Sequence, residues 1–301
     1  SGVTEYAVSN SLNDYLCYQI RSDGCLTTVC EGDEQSSSWN SWAGKSFKTL
    51  DIKEYTEDFI FRSLLSRKPQ DIEAGTYPVI LSRFAVSTLL QYMMWLALSG
   101  KTFEEGTSAF SGKLNSQVFD PQFNLSDDPI VSTDFPQIFD AYGEEKKKLS
   151  VIEKGVLKNV SYNHYYANRF QKPSTASEVF GSGSGFTHLK LHAGKKSFQE
   201  LIQETEKAIL VTRFWYVNAS NPRSLTFTGV TKDGTFLIEN GKIAKPIRKL
   251  RFTESLLKAF SKVDAISKDA AWVPETSFYE GRYLFAYWCP AIKLSEFHFS
   301  S

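Results

Sequence analysis

Residues 82–100 read SRFAVSTLLQYMMWLALSG, and the folding of this stretch decides the rest. Phe84, Val86, Leu89, Leu90, Met93, Met94, Leu96, Ala97 and Leu98 recur at helical rather than strand spacing. Ser82 is placed to cap the helix and Gly100 to stop it. Ser82, Arg83, Ser87 and Gln91 interrupt the apolar run, and the segment is too short to cross a bilayer. Met93, Met94 and Trp95 predict a core element or, alternatively, a partner surface.

Working outward, residues 77–81 form a short strand that feeds the helix. Upstream, residues 14–30 predict a β-hairpin turning at Ser22-Asp23-Gly24. Residues 51–66 predict a helix capped by Asp51, with Glu54 at N3. Its apolar faces are supplied by Ile52, Tyr55, Phe59, Leu64 and Leu65. The polar stretch 68–75 is a linker and divides the chain into units 1–72 and 73–301. Downstream, 120–140 is rich in Pro and Asp and reads as irregular. Residues 150–164 predict paired strands turning at Lys154-Gly155. Residues 197–206 predict a helix opened by a capping box of Ser197 and Glu200. A strand at 208–217 precedes a meander at 225–247, with turns at Asp233-Gly234 and Asn240-Gly241. Residues 253–263 predict a further helix. Strands dominate and joins are tight, so the expected class is α+β, with a mainly antiparallel or mixed sheet and a few packing helices.

A chain of 301 residues can bury a sizeable core. Lys plus Arg and Asp plus Glu are equal at 34 each. A net charge of zero argues against general nucleic-acid binding, which needs a positive surplus or a basic face. No leader peptide and no membrane association are expected. Cys17, Cys25, Cys30 and Cys289 form no CxxC pair, which predicts reduced thiols in a cytoplasmic protein.

Several spaced motifs share one resemblance. The stretch TYPVILSRFAVSTLLQYMMWLALSGKTFEEGTSAFSGKL (76–114) resembles the TldD/PmbA (TldD/TldE) family. So do SAFSGKLNSQVFDPQFNLSDDP (108–129), VIEKGVLKN (151–159), THLKLHAGKKSFQELI (187–202) and FLIENGKIAKPI (236–247). Together they cover residues 71–267 in unbroken order, which is more specific than any single motif. Residues 9–20 and 37–47 resemble the end of the family's N-terminal domain. The resemblance implies that most of that domain is absent, by cleavage or in a short natural member. A Ser-Gly start rather than Met fits cleavage. An older description of this family, modulator of DNA gyrase, gains no support from the charge balance.

In TldD-type members a helix at this place bears HExxxH, whose two His bind zinc and whose Glu activates water. The matching positions here are Gln91, Tyr92 and Leu96. Leu96 has no donor atom, and Gln91 is a poor zinc ligand. The phenol of Tyr92, with an ordinary pKa of about 10, is a poor base at neutral pH. The resemblance is therefore to the PmbA/TldE type, which lacks the motif. It implies no metal and no catalytic residue in this chain, zinc being supplied by a TldD-like partner. It implies a TldD-like partner chain or a homodimer, with unfolded peptide as substrate. The alternative is a non-enzymatic binding or scaffold protein that forms homo-oligomers.

Extended peptides are held mainly through backbone groups. Asn159, Arg213 and Asn218, on or beside expected strands, are candidate peptide contacts, although surface solvation explains them equally well. Gly181-Ser182-Gly183-Ser184-Gly185 could cradle a phosphate, but it lacks the Lys-Ser/Thr ending of a P-loop and reads as a mobile loop. By the resemblance, its Gly183 and Gly185 would lie near the substrate cleft. His188 and His192 mimic a ligand pair, yet in a strand they would stand roughly 13 Å apart. Adjacent Asp127 and Asp128 point apart, which disfavours paired acid/base work and suits a turn or capping role before Pro129. Cys289, between Trp288 and Pro290, reads as a small buried apolar residue.

Overall fold

The computed structural model describes residues 1–11, 16–32, 36–129, 134–179, 183–277 and 283–300. The chain opens with β1 (Gly2–Val8), β2 (Cys17–Glu31), β3 (Ser37–Gly44) and α1 (Ile52–Leu65). Next come β4 (Gly75–Leu81), α2 (Arg83–Ala97), α3 (Gly100–Glu104) and β5 (Leu125–Asp127). They are followed by β6 (Leu149–Glu153), β7 (Val156–Leu157), α4 (His164–Phe170), β8 (Glu178–Val179) and β9 (Gly183–Ser184). Then come β10 (Leu189–Leu191), α5 (Phe198–Gln203), β11 (Lys207–Asn221), β12 (Thr226–Glu239) and β13 (Lys242–Pro246). Last are β14 (Arg251–Ser255), α6 (Leu256–Ala259), β15 (Val263–Ile266), β16 (Ala271–Ser277), β17 (Tyr283–Cys289) and β18 (Ile292–Ser300). This is an α+β arrangement of mixed and antiparallel sheets, as the sequence predicts.

One sheet closes on itself. β11, β4, β18, β14 and β12 are neighbours in that order, and β11 also pairs with β12. Closure removes the open edges that would otherwise need protection. β11 and β4 run parallel, while β12 pairs antiparallel with β11, β13 and β14. Side chains alternate across β4: Val79 and Leu81 enter the main core, whereas Ile80 joins a second cluster with Leu201 and Ile202 of α5. Phe214, Phe252 and Phe297 pack ring on ring, with centroids 4.6 Å apart for the first pair and 5.5 Å for the second. A second sheet has the order β16-β17-β10-β5-β6-β7, in which β10 and β17 are parallel.

α2 lies between these sheets, against β4 and β11 of one and β16 and β17 of the other. The Ser82 hydroxyl accepts from the Phe84 N–H at 3.2 Å and donates to the Thr212 carbonyl, so the cap also ties the helix to β11. Leu89, Leu90, Met93 and Ala97 are fully buried. Each large side chain contributes about 1.5–3 kcal/mol of burial. Gly100 does not end this helix. It opens α3, and it must be glycine because a Cβ there would stand 2.4 Å from the Tyr162 ring.

Four further expectations are corrected. β2 runs straight through Ser22-Asp23-Gly24, its first part pairing with β1 and its second with β3. Asp23 is buried beside Arg21 (Nε to Oδ2 3.3 Å), a partner that replaces the solvent a turn would have given it. Asp14 and Tyr15 of that expectation lie outside the described residues. Asp233-Gly234 is no turn but a bulge inside β12, where both residues oppose Thr212 alone at φ +58° and +113°. Residues 251–255 are strand, because they pair with β12, and the helix is confined to α6. α4 goes unforeseen; Asn163 caps it by accepting from the Tyr166 N–H at 2.9 Å. The expected helix 51–66 forms with Asp51 as its cap, but Ile52 and Leu64 face solvent and Tyr55 alone of its residues is buried. Both remaining turns form with positive φ: +48° and +74° at Lys154-Gly155, and +51° and +74° at Asn240-Gly241.

Candidate functional site

A cleft of about 500 Å³ opens where α2, β11, the β1–β3 sheet and β16 meet. Thr88, Gln91 and Tyr92 come from α2, and Arg213 to Asn218 from β11. Thr27, Trp39 and Ser41 come from β2 and β3, and Val273 and Pro274 from β16. Its size falls within the usual range for ligand pockets.

Two of the three degenerate motif positions, Gln91 and Tyr92, line this cleft. Tyr92 donates its hydroxyl to the Val217 carbonyl at 2.6 Å. Its ring packs on Phe227 and Trp95 at centroid distances of 5.5 and 5.4 Å. The phenol is thus a strut between α2 and β11. Leu96 packs against the main core. Zinc does not fit this set, which offers one amide, one committed hydroxyl and one alkyl group. Among the described residues no three His, Cys, Asp or Glu side chains converge as a ligand cluster.

The strongest electrostatic feature is Arg213, buried at the base of the cleft. Its guanidinium lies 3.9 Å from the Trp39 ring centroid and 4.7 Å from that of Trp215. Its Nε is 3.3 Å from Asp233 Oδ2. The β12 bulge is what aims Asp233 at it. Lys232 also lies over Trp215, 4.8 Å from the ring. Two indoles and a carboxylate therefore fix one cation beside the opening. Asn218, further along β11, donates to the Tyr216 carbonyl at 3.1 Å.

Of the five candidate peptide contacts, Arg213 and Asn218 reach the cleft and the others do not. Asn159 donates to the Ser150 carbonyl at 2.7 Å and braces β6. Gly183 belongs to the β8–β9 ribbon. Gly185 lies under α2, where a Cβ would meet the Met94 sulfur at 3.0 Å. Gly181 and Ser182 of that loop lie outside the described residues.

The histidine pair separates. His188 is buried, with Nε2 2.6 Å from the Phe135 carbonyl. A carbonyl can only accept, so Nε2 carries the proton. Burial, with Lys146 and Arg21 nearby, pushes its pKa down to about 3. His192 instead meets Ser126 Oγ at 3.1 Å. Asp127 ends β5 rather than lying in a turn, and both Asp127 and Asp128 are buried. Asp127 accepts from the His188 N–H at 2.8 Å, and its carboxyl is pushed up by burial against the opposing pull of Lys146. Lys146 is itself buried and donates to the Ala176 carbonyl at 3.0 Å. Cys289 is buried, as expected.

Trp39, Trp215 and Tyr216 were not legible as site residues. A signal existed in Phe214-Trp215-Tyr216: consecutive strand residues face opposite ways, so three aromatics in a row must leave one on an outer face.

Residues 74–301 match the sequence profile of the PmbA/TldA metallopeptidase C-terminal domain. The chain belongs to the PmbA/TldD metallopeptidase family. It is 25% identical over 261 residues to a zinc metalloprotease TldD homolog of Saccharolobus solfataricus, covering 81% of this chain and 56% of that protein. It is 20% identical to a metalloprotease PmbA homolog of Buchnera aphidicola, covering 87% and 58%. The chain thus spans little more than half the length of these PmbA/TldD relatives. The fold matches TldE from Thermococcus kodakarensis with a TM-score of 0.83 at 20% identity, covering 95% of this chain and 64% of that one. A Thermotoga maritima protein described as a modulator of a DNA gyrase matches at the same TM-score and identity, covering 99% and 67%. Among the described residues no helix is long and apolar enough to cross a membrane.

Proposed function

We propose that this chain is the motif-less, TldE/PmbA-like subunit of a metallopeptidase that processes unfolded peptides in the cytoplasm. It contributes a peptide-binding cleft, and a TldD-like partner brings the zinc. One observation carries this reading. The helix that bears the metal in TldD-type members here presents Gln91 and Tyr92 to a peptide-sized aromatic cleft, and the Tyr92 hydroxyl is committed to the Val217 carbonyl. Side chains placed to hold a ligand remain at the site, while those needed to activate water do not.

The test is reconstitution. This chain and a TldD-like protein from the same cell are assayed on an unfolded peptide, separately and mixed. Cleavage that rises in the mixture is expected. Cleavage by this chain alone, at the rate of the mixture, would contradict the reading.

A second reading, a homo-oligomeric scaffold, draws on the exposed Ile60, Phe61 and Leu64 of α1. A stable homodimer in sedimentation, unchanged by addition of the TldD-like protein, would favour it.

A further inference from the structure

Tyr216 combines three properties that rarely coincide. It lines the cleft, it is 76% exposed, and its φ is +51°. The register explains the conformation. Trp215 pairs with Val230 and Asn218 with Thr228, so Tyr216 and Val217 together oppose Gly229. The first residue of such a bulge sits in left-handed backbone, where glycine is the default. A bulky aromatic there is conformationally costly, and such outliers gather at ligand sites.

The surroundings hold the strained residue in place. The Tyr92 hydroxyl grips the Val217 carbonyl on one side, and the Asn218 amide grips the Tyr216 carbonyl on the other. Opposite the bulge, Gly229 lets the Phe252 ring pack closely: a Cβ there would stand 2.8 Å from that ring. Trp215 is 43% exposed and is held between Arg213 and Lys232. The Trp215 and Tyr216 rings meet edge to face, with centroids 5.7 Å apart and planes at 83°. The result is a solvent-exposed aromatic ledge along one wall of the cleft. Exposed aromatics of restricted freedom are the side chains that dominate binding energy at interfaces.

We propose that Trp215 and Tyr216 form the subsite for a large apolar side chain, preferably aromatic, of an extended peptide, and that the αL strain at Tyr216 is retained for this recognition. The proposal rests on the cleft being the peptide site. It names the class of peptide taken there: unfolded segments rich in Phe, Tyr, Trp or Leu, which a folded protein would keep buried.

The test uses the whole chain and two fluorescein-labelled unfolded peptides of equal length and charge. One carries Phe at every third position and the other Ala at the same positions. Fluorescence anisotropy is expected to show about tenfold tighter binding of the Phe peptide, corresponding to roughly one good aromatic contact. In Tyr216→Gly that preference is lost, while Tm rises by about 2 °C as the backbone strain is released. Tyr216→Asn, which tolerates the same backbone, serves if the glycine variant folds poorly and is expected to lose the preference too. Equal binding of both peptides by the wild type, or a preference that survives both substitutions, would overturn the proposal while leaving the cleft reading intact. Failure of the wild type to bind either peptide would overturn the cleft reading and this proposal with it.

Discussion

Two polar clusters in this molecule use similar chemistry to opposite ends. At the cleft, Arg213 and Asp233 sit between Trp39 and Trp215 beside an opening of about 500 Å³. Behind β10, Asp127, Lys146 and His188 form a cluster in which every member is nearly inaccessible to solvent. The first has aromatic walls and a route to solvent. The second has backbone partners, the Phe135 and Ala176 carbonyls, and its side chains are buried. Perturbed titration is therefore a poor guide to function here. The most shifted histidine lies in the sealed cluster, whereas the residues that can meet a ligand are defined by access.

The largest effect that separates the two regions is expected at Lys146. Lys146→Met removes the cation beside the buried Asp127 carboxyl and should cost about 3–5 kcal/mol of stability. Peptide affinity of the folded fraction should not change. Urea unfolding and anisotropy measure the two quantities, and a loss of affinity without a loss of stability would break the comparison.

Acid is the next lever. His188 is held neutral in the folded state, with its pKa pushed from 6.5 to about 3. The unfolded chain takes up that proton below about pH 6.5 and the folded chain does not. Stability contributed by neutral His188 is therefore complete above 6.5 and lost as pH falls towards 3. The slope approaches about 1.4 kcal/mol per pH unit. Asp127, whose carboxyl is raised, acts in the opposite direction. The difference between wild type and His188→Gln, whose amide can still donate to Phe135, isolates the histidine. Parallel stability curves between pH 7 and 4 would show that His188 is not the titrating group.

At the cleft, Arg213→Ala should cost about 2–4 kcal/mol, because it leaves Asp233 buried without its cation and removes the contacts to both indoles. Unlike Lys146→Met, it should also weaken peptide binding at least tenfold. Arg213→Ala combined with Asp233→Ala should recover much of the stability and none of the affinity. Recovery of both would place Arg213 in the same purely structural class as Lys146.

The smallest effect is expected from Tyr92→Phe. Removing the hydroxyl leaves the Val217 carbonyl without this donor and should cost about 1 kcal/mol. Hydrogen exchange at the 216–218 bulge should quicken while the rest of β11 is unchanged. Unchanged protection there would mean that Tyr92 is not the strut.

Much of the fold was legible because local chemistry and tertiary structure agree. Ser82 caps α2, the Ser197–Glu200 capping box opens α5, and Asn240-Gly241 turns β12 into β13. The failures have a common physical form. Ser22-Asp23-Gly24 and Asp233-Gly234 carry turn residues, yet Arg21 and Arg213 respectively bring each aspartate a partner inside a strand. No local pattern shows such a partner. Lys146 stands in a Lys-rich run, and its buried partners, the Ala176 carbonyl and the nearby Asp127 carboxyl, come from other segments. The cleft was half legible. Its α2 wall followed from the missing motif, but its aromatic walls join β3 to β11 across most of the chain, a juxtaposition created by packing of the β1–β3 sheet on the closed one.

The most direct test is zinc content, measured by elemental mass spectrometry after dialysis against a weak chelator, for the purified chain alone and for its mixture with a TldD-like protein. Well below one zinc per chain alone, with about one per pair in the mixture, is the expected result, since Gln91, Tyr92 and Leu96 offer no ligand set. Stoichiometric zinc in the chain alone would contradict it.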